Sequence, residues 1–301
     1  MNRSRTAAAA VLALALAGSM TACGGSSDAG ASDGRIAVVA STNVWGDIAE
    51  QVGGDAVDVT SIISDPAQDP HSYEADAKTA LAISRASIVI ENGGGYDDFV
   101  ERLLDAGDAD PTVLDAVDIS GKEAAAGDAL NEHVWYDLPT VIKVADAIAA
   151  ELGKVDPEQA DTFTANAAAF TKQVDALESE VAKLRTTVKG EGIGITEPVP
   201  LYLTDALGLR NLTPPAFSEA VEEGDDVSPS VLEQTLDLYS SGEVRALVYN
   251  AQTSGPITQE VQDAAEKDGV AVVPVTETLP ADTGYLAWMK DTIERLAKAL
   301  N

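Results

Sequence analysis

The chain reads as an α/β protein built from two similar lobes with mainly parallel sheets, joined by one long rigid helix. Three features predict this. Short β-branched runs alternate with amphipathic stretches in both halves of the sequence. The strand runs are almost continuously apolar, as strands covered on both faces by helices must be. Between the halves lies a helical pattern of about thirty residues that no Gly or Pro interrupts after its opening Pro157.

The first residues precede the fold. Arg3 and Arg5 form a short positive region, and Ala7 to Gly18 is an apolar run too short to cross a bilayer but suited to a signal-peptide core. Met20-Thr21-Ala22 leads into Cys23, the single cysteine of the chain. This tetrad resembles the lipobox of bacterial lipoproteins, with Met20 where Leu is usual. The resemblance implies cleavage before Cys23 and lipidation of its thiol, hence an extracytoplasmic protein anchored to the membrane. GGSSDAGASDG (24–34) then reads as a flexible tether. The expected organisation is a signal peptide at 1–22, anchor and tether at 23–34, a first lobe at 35–156, a linking helix at 157–189 and a second lobe at 190–301.

In the first lobe, IAVVA (36–40), VDVTSII (57–63) and SIVIE (87–91) are expected strands. Residues 45–52, 75–86, 97–106 and 139–152 are expected helices, the last with Pro139 in its first turn. In the linking segment Phe163, Phe170, Val174, Leu177, Val181 and Leu184 recur at helical spacing. At ~1.5 Å per residue, residues 157–188 would form a helix of about 48 Å, longer than one lobe is wide. The second lobe repeats the alternation, with strands at GIGIT (192–196), ALVY (246–249) and VAVVPV (270–275). Its expected helices are 229–239, 257–268 and 285–300.

The chain carries 19 basic and 50 acidic residues, a formal charge of −31. Loss of Arg3 and Arg5 with the leader removes two positive charges and makes it −33. So acidic a body repels nucleic acid and anionic membrane surfaces, which excludes both as partners for the folded part. With 45% apolar residues, the mature chain has ample material for a core. It has no cysteine pairs, so the exported fold must stand without disulfides.

There are only two histidines, His71 in DPHSYE (69–74) and His133 in NEHVWYD (131–137). Imidazole is the commonest metal ligand, and carboxylates usually complete such a site. In open α/β sheets ligands lie beyond the carboxyl ends of the strands. Glu197, directly after GIGIT, and Glu277, which follows VAVVPV in TETLP (276–280), occupy that position in the second lobe. Two neutral imidazoles and two carboxylates sum to −2, which balances a divalent cation. Each residue taken singly also has a plainer reading, a histidine packed and hydrogen-bonded beside an aromatic or a glutamate solvated in a loop.

Longer blocks carry a resemblance. STNVWGDIAEQVGGDAV (41–57), SDPAQDPHSYEADAKTALAISRASIVIENGGGYDDFVERLL (64–104), NEHVWYDLP (131–139), TEPVPLYLTDALGL (196–209), YNAQTSGPITQEVQDAAEKDGVAVVPV (249–275) and ETLP (277–280) resemble the metal-binding lipoproteins of zinc and manganese ABC importers. That family is a group of solute-binding proteins in which one long helix joins two lobes. The resemblance implies that His71, His133, Glu197 and Glu277 hold a transported metal in the interlobe cleft, as Mn²⁺ or Zn²⁺ with Fe²⁺ a third candidate. It also implies an ABC permease and its ATPase as partners, a monomer, and binding without covalent chemistry. Two departures lean toward hard oxygen ligands. The third ligand is Glu where many zinc members have His, and GKEAAAGDALNE (121–132) contains no histidine where many zinc members carry a His-rich loop. Zn²⁺ nevertheless outcompetes Mn²⁺ at most nitrogen and oxygen sites. Since a metal must meet deprotonated imidazoles, affinity is expected to fall as pH drops through ~6.5. Three other readings stay open: a metal-dependent hydrolase, an adhesin-like surface lipoprotein with a structural metal, and a receptor for a non-metal solute. GEGIG (190–194) lacks dinucleotide-fingerprint spacing, and no HExxH or GxSxG occurs.

Overall fold

The computed structural model describes residues 34–301 except 66–67, 69–70, 72 and 125–129. The leader, Cys23 and the tether up to residue 33 lie outside the described residues. The first lobe holds β1 (Ile36–Thr42), β2 (Val57–Ile63), β3 (Ile88–Glu91) and β4 (Thr112–Asp115) in the order β2-β1-β3-β4. Every pairing is parallel. The second lobe holds β5 (Gly192–Ile195), β6 (Arg210–Asn211), β7 (Val244–Asn250) and β8 (Ala271–Val275) in the matching order β6-β5-β7-β8, again all parallel. The central β3 and β5 are buried at every residue, whereas the edge strand β2 mixes buried and exposed positions. That difference is what coverage on both faces produces in the middle of a parallel sheet.

Helices α1 (Asn43–Gly53), α2 (Ala77–Ile83), α3 (Phe99–Ala106) and α4 (Ala116–Ser120) follow the strands of the first lobe, and α5 (Leu138–Val155) closes it. Gly46 of α1 lies against Ser61 of β2 so closely that a Cβ would collide with the Ser61 hydroxyl. Asp137 caps α5 by accepting from the Thr140 amide at 3.2 Å, and Pro139 stands in the first turn, where no amide hydrogen is needed.

The linking helix α6 is Ala160–Val188, 29 residues and about 44 Å long. It starts three residues later than its sequence pattern. Asp156 stops α5 and forms a turn across Pro157, accepting from the Glu158 amide and the Gln159 side chain. Phe163, Ala167, Phe170, Val174, Leu177 and Val181 of α6 are buried, a stripe repeating every three or four residues. The stripe packs on α1 and α5 from the first lobe. In the second lobe, whose helices are α7 (Leu201–Leu207), α8 (Pro215–Glu222), α9 (Pro229–Ser240), α10 (Pro256–Lys267) and α11 (Tyr285–Leu300), it packs on α7 and α11. One hydrophobic core therefore runs through both lobes along α6. Among the described residues no helix is long and apolar enough to cross a membrane.

Further bonds tie the lobes together. Asn43 exchanges two hydrogen bonds with the Leu279 backbone, at 3.1 and 2.9 Å, and Asp47 accepts from the Tyr285 amide. The hydroxyls of Tyr285 and Tyr136 donate to the carbonyls of Trp135 and Thr276. With α6, these bonds join the two lobes at several points.

Candidate metal centre

The polar centre is assembled from segments that follow the carboxyl ends of seven of the eight strands. His71 follows β2, Tyr96 follows β3, and His133 comes after β4 and α4. Glu197 follows β5, Glu222 ends α8 after β6, Asn250 ends β7, and Glu277 follows β8. The parallel sheets thus deliver loops from both lobes to one place, as open α/β folds do.

His133 is fully buried. Asn131 Oδ1 accepts from the His133 amide at 3.0 Å and lies 2.7 Å from the ring Nδ1. An oxygen already accepting one hydrogen can only accept again, so Nδ1 carries the proton and Nε2 faces the centre. Asn131 is itself held across the cleft, donating to the Pro198 carbonyl at 3.1 Å and accepting at its own carbonyl from Tyr202. The Tyr96 ring stands edge-on to His71, with centroids 4.9 Å apart, and its hydroxyl donates to Glu277 Oε2 at 3.0 Å.

The structure brings His71, His133 and Glu277 together. It adds a residue that the sequence reading did not name, Glu222. Both imidazole Nε2 atoms converge on Glu222 Oε1, at 3.2 Å from His71 and 3.1 Å from His133. Glu277 Oε2 is 3.8 Å from His71 Nε2. Ligand-type atoms of His71, Glu132, His133 and Glu222 all lie within 4.8 Å of one another.

Glu197 is buried beside this group, but its oxygens face other partners. Asn250 Nδ2 donates to Glu197 Oε2 at 2.5 Å and to Glu277 Oε1 at 2.7 Å, so one amide bridges the two carboxylates. The Thr253 hydroxyl donates to Glu197 Oε1. Gln252 holds the Glu277 turn by accepting from the Thr278 amide at 3.0 Å and donating to the Thr278 hydroxyl at 2.9 Å. Cys23 lies outside the described residues.

The charges shape each other. Burial lowers the His71 imidazole, but Glu222, Glu277 and Glu132 outweigh it and raise it to about 9. His133 is raised by the balance of the same forces. Burial pushes the Glu222 carboxyl up, yet the two imidazoles hold it down at about 2. Glu277 is raised by burial, with both imidazoles opposing. Glu197, with no imidazole among its main influences, is pushed up to about 7 chiefly by burial. The group can therefore hold charge on Glu222 and the histidines, and a divalent cation can take the place of the Nε2 protons beside the carboxylate oxygens.

The residues missed in the sequence left weak signals. Glu222 sits in the acidic run EAVEEGDD (219–226), which resembles a solvated surface. Tyr96 and Asn250 act through Glu277 and Glu197, and their residue types alone suggest no such role.

Comparison with known proteins places the chain in a family. The family described as "ZnuA: Zinc-uptake complex component A periplasmic" matches residues 38–299, nearly the whole described fold. The chain belongs to this family. Among relatives of the ZnuA family, the manganese-binding lipoprotein MntA of Halalkalibacterium halodurans is 30% identical over 205 residues, covering 66% of this chain and 65% of MntA. This chain thus spans a little under two thirds of that relative's length. The manganese ABC transporter substrate-binding lipoprotein PsaA of Streptococcus pneumoniae is 24% identical, over 97% of this chain and 98% of PsaA. The periplasmic zinc-binding protein TroA of Treponema pallidum superposes with a TM-score of 0.76 at 17% identity, over 89% of this chain and 99% of TroA. That likeness is one of fold, the two α/β lobes and the long helix between them.

Proposed function

We propose that this protein is an extracytoplasmic solute-binding receptor that captures a divalent transition metal and delivers it to the permease and ATPase of an ABC importer. Lipidated Cys23 would hold it at the membrane, with the tether to residue 34 giving it reach. The observation that carries the reading is the convergence of two imidazole Nε2 atoms from the first lobe with buried carboxylates from the second. Membership of the ZnuA family and the names of its transporter relatives support the same class.

His71 and His133 bind the ion through Nε2, and Glu277 and a further carboxylate, Glu197 in the family-based assignment, supply oxygen. With neutral imidazoles, two carboxylates leave the site neutral around a divalent cation. Asn131 fixes the His133 ring, and Tyr96 and Asn250 fix Glu277. Hydrogen bonds to ligands of this kind are worth ~10–100-fold in metal affinity. The ion enters through a cavity of about 500 Å³ whose lining includes His71, Glu132, Glu219 and Glu222. Release follows small loop movements, since α6 and the interlobe bonds oppose a wide opening.

The oxygen-rich donor set suits Mn²⁺, although Zn²⁺ has the higher intrinsic affinity for such donors. Several converging protein donors also leave little room for the open coordination position that a hydrolytic metal requires, which disfavours the enzyme reading. A shared core along α6 supports a protein that folds without metal, unlike one in which the metal is structural. The test is elemental analysis of the purified protein, followed by chelator stripping and calorimetric titration with Mn²⁺ and Zn²⁺ in competition. One ion per chain, bound reversibly to a folded metal-free protein, is the expected result. A stripped protein that unfolds, or that binds neither ion, would overturn the proposal.

A further inference from the structure

Glu222 carries an inference that rests on the receptor reading and goes beyond the family-based ligand set. Its side chain is 7% exposed; Oε1 faces only the two imidazole nitrogens, and Oε2 has no hydrogen-bond partner among the described residues. A buried carboxylate left this way is costly unless it has another interaction. Its spacing from the imidazoles is informative. Two donors bound to one metal at ~2.0–2.2 Å stand ~3.0–3.4 Å apart along an edge of the coordination polyhedron. The separations of 3.2 and 3.1 Å from Glu222 Oε1 to the two Nε2 atoms lie in that range.

Glu197 differs on each point. Its two oxygens already accept from Thr253 and Asn250. No imidazole nitrogen lies within ion-pair distance of it among the described residues, whereas both lie within that distance of Glu222.

The backbone that presents Glu222 is fixed. Gly224 takes the left-handed conformation, φ +68°, one residue past the cap of α8. Its amide donates to the Val221 carbonyl, and the Asp225 amide donates to the Ala220 carbonyl. This paired closure stops the helix and holds Glu222 in its last turn. A carboxylate at the negative end of a helix is unfavourable by itself, and a cation beside it reverses the sign. Glu222 also lines the entry cavity, which His133, Glu197 and Glu277 do not. Glu222 therefore shares the entry side of the site with His71, which lines the same cavity.

We infer that Glu222, carried by α8, is a direct oxygen ligand of the transported metal on the entry side of the site, and that Glu197 is a positioning residue that orients Asn250 and, through it, Glu277. The centre then takes two nitrogens and the carboxylates of Glu222 and Glu277, a donor set for a divalent transition metal with Mn²⁺ well accommodated.

The test titrates the full metal-stripped protein with Mn²⁺ and with Zn²⁺ by calorimetry, as wild type and as Glu222→Gln, Glu222→Asp, Glu197→Gln and Glu219→Gln. Glu222→Gln is expected to lose ~100-fold or more in affinity, beyond the ~10-fold expected of Glu197→Gln. Glu222→Asp keeps the charge but withdraws the oxygen by one methylene, so a ligand loses at least ~10-fold there while a residue acting only through its field does not. Glu219→Gln, an acid on the cavity wall, should stay within about 3-fold. The inference is overturned if Glu222→Asp binds like wild type, or if Glu197→Gln loses more than Glu222→Gln. A wild-type protein that binds neither ion would instead remove the receptor reading itself.

Discussion

Glu222 in the cleft and Glu91 at the end of β3 are both buried carboxylates, and both lie beyond or at the carboxyl end of a parallel strand. The imidazoles hold Glu222 at about 2, while burial pushes Glu91 to about 8. Glu91 has acids for neighbours, Asp97, Asp115, Glu101 and Asp118. Asp97 is served by the amides of Asn92 and Gly93, and Asp115 caps α4 by accepting from the Asp118 amide. The first group therefore keeps its charge by pairing it with imidazoles, whose protons a metal can displace. The second loses charge at Glu91 by holding a proton. Burial of acid alone makes a proton trap, and two histidines turn a similar arrangement into the metal site proposed above.

The contrast can be broken most sharply at its two poles. His133→Ala removes a fully buried nitrogen and should weaken Mn²⁺ and Zn²⁺ binding by ~100-fold or more, whereas Glu91→Gln should leave calorimetric affinity unchanged. A comparable loss in both variants would erase the distinction. His71 keeps a quarter of its side chain in solvent, so water can partly replace it. His71→Ala should cost about 10-fold or somewhat more, less than His133→Ala.

Next in size is the effect of pH. The sequence places the fall in affinity at ~6.5, the ordinary histidine value. The acids around His71 move it higher, because the metal must displace a proton held up to about pH 9. Affinity measured from pH 5.5 to 9.5 should climb through 7 and 8 and level off only near 9. A plateau already reached at pH 7 would show that the carboxylates do not govern the imidazole.

The smallest effects are on stability without metal. His71 is raised above its unfolded value, so its pairing stabilises fully below ~6.5 and is lost as pH climbs to about 9. Glu222 is depressed, so its contribution is complete above ~4.5 and is lost as pH falls to about 2. Chelated protein should melt highest from this cluster between those bounds, and adding metal should move the optimum upward in pH. Glu91 works in the opposite sense. Its raised value draws stability away between ~4.5 and about 8, where the unfolded chain ionises and the folded one holds its proton. Glu91→Gln should therefore raise the melting temperature at pH 8 and leave it unchanged at pH 4. Equal shifts at both would mean that packing, rather than ionisation, is what changed.

Much of this was legible in the sequence, for identifiable reasons. VDVTSII shows β2 with its observed bounds because a run of branched residues ends there against polar ones. The α6 stripe repeats over about five turns, enough to identify both the helix and its buried face. His71, His133 and Glu277 stand out through rarity or through position after a strand. The rest was hidden by shortness. β6 is two residues long, and β4 four, too few for any period to register. α8 has eight residues, little more than two turns, and its Glu222 lies among acids that face solvent. Pro215 at its start and Gly224 after its end mark the helix in hindsight, but neither reveals which acid turns inward. Glu197 posed the reverse difficulty. Its place after β5 matches a ligand, and only the bonds from Thr253 and Asn250 display what its oxygens already do.

The most direct measurement of the central claim is the anomalous scattering of a Mn²⁺-loaded crystal, collected on both sides of the manganese edge. A single peak bonded to Nε2 of His71 and His133 and to oxygens of Glu222 and Glu277 is the predicted result. A peak bonded to neither imidazole, or one seated in the Glu91 group, would contradict it.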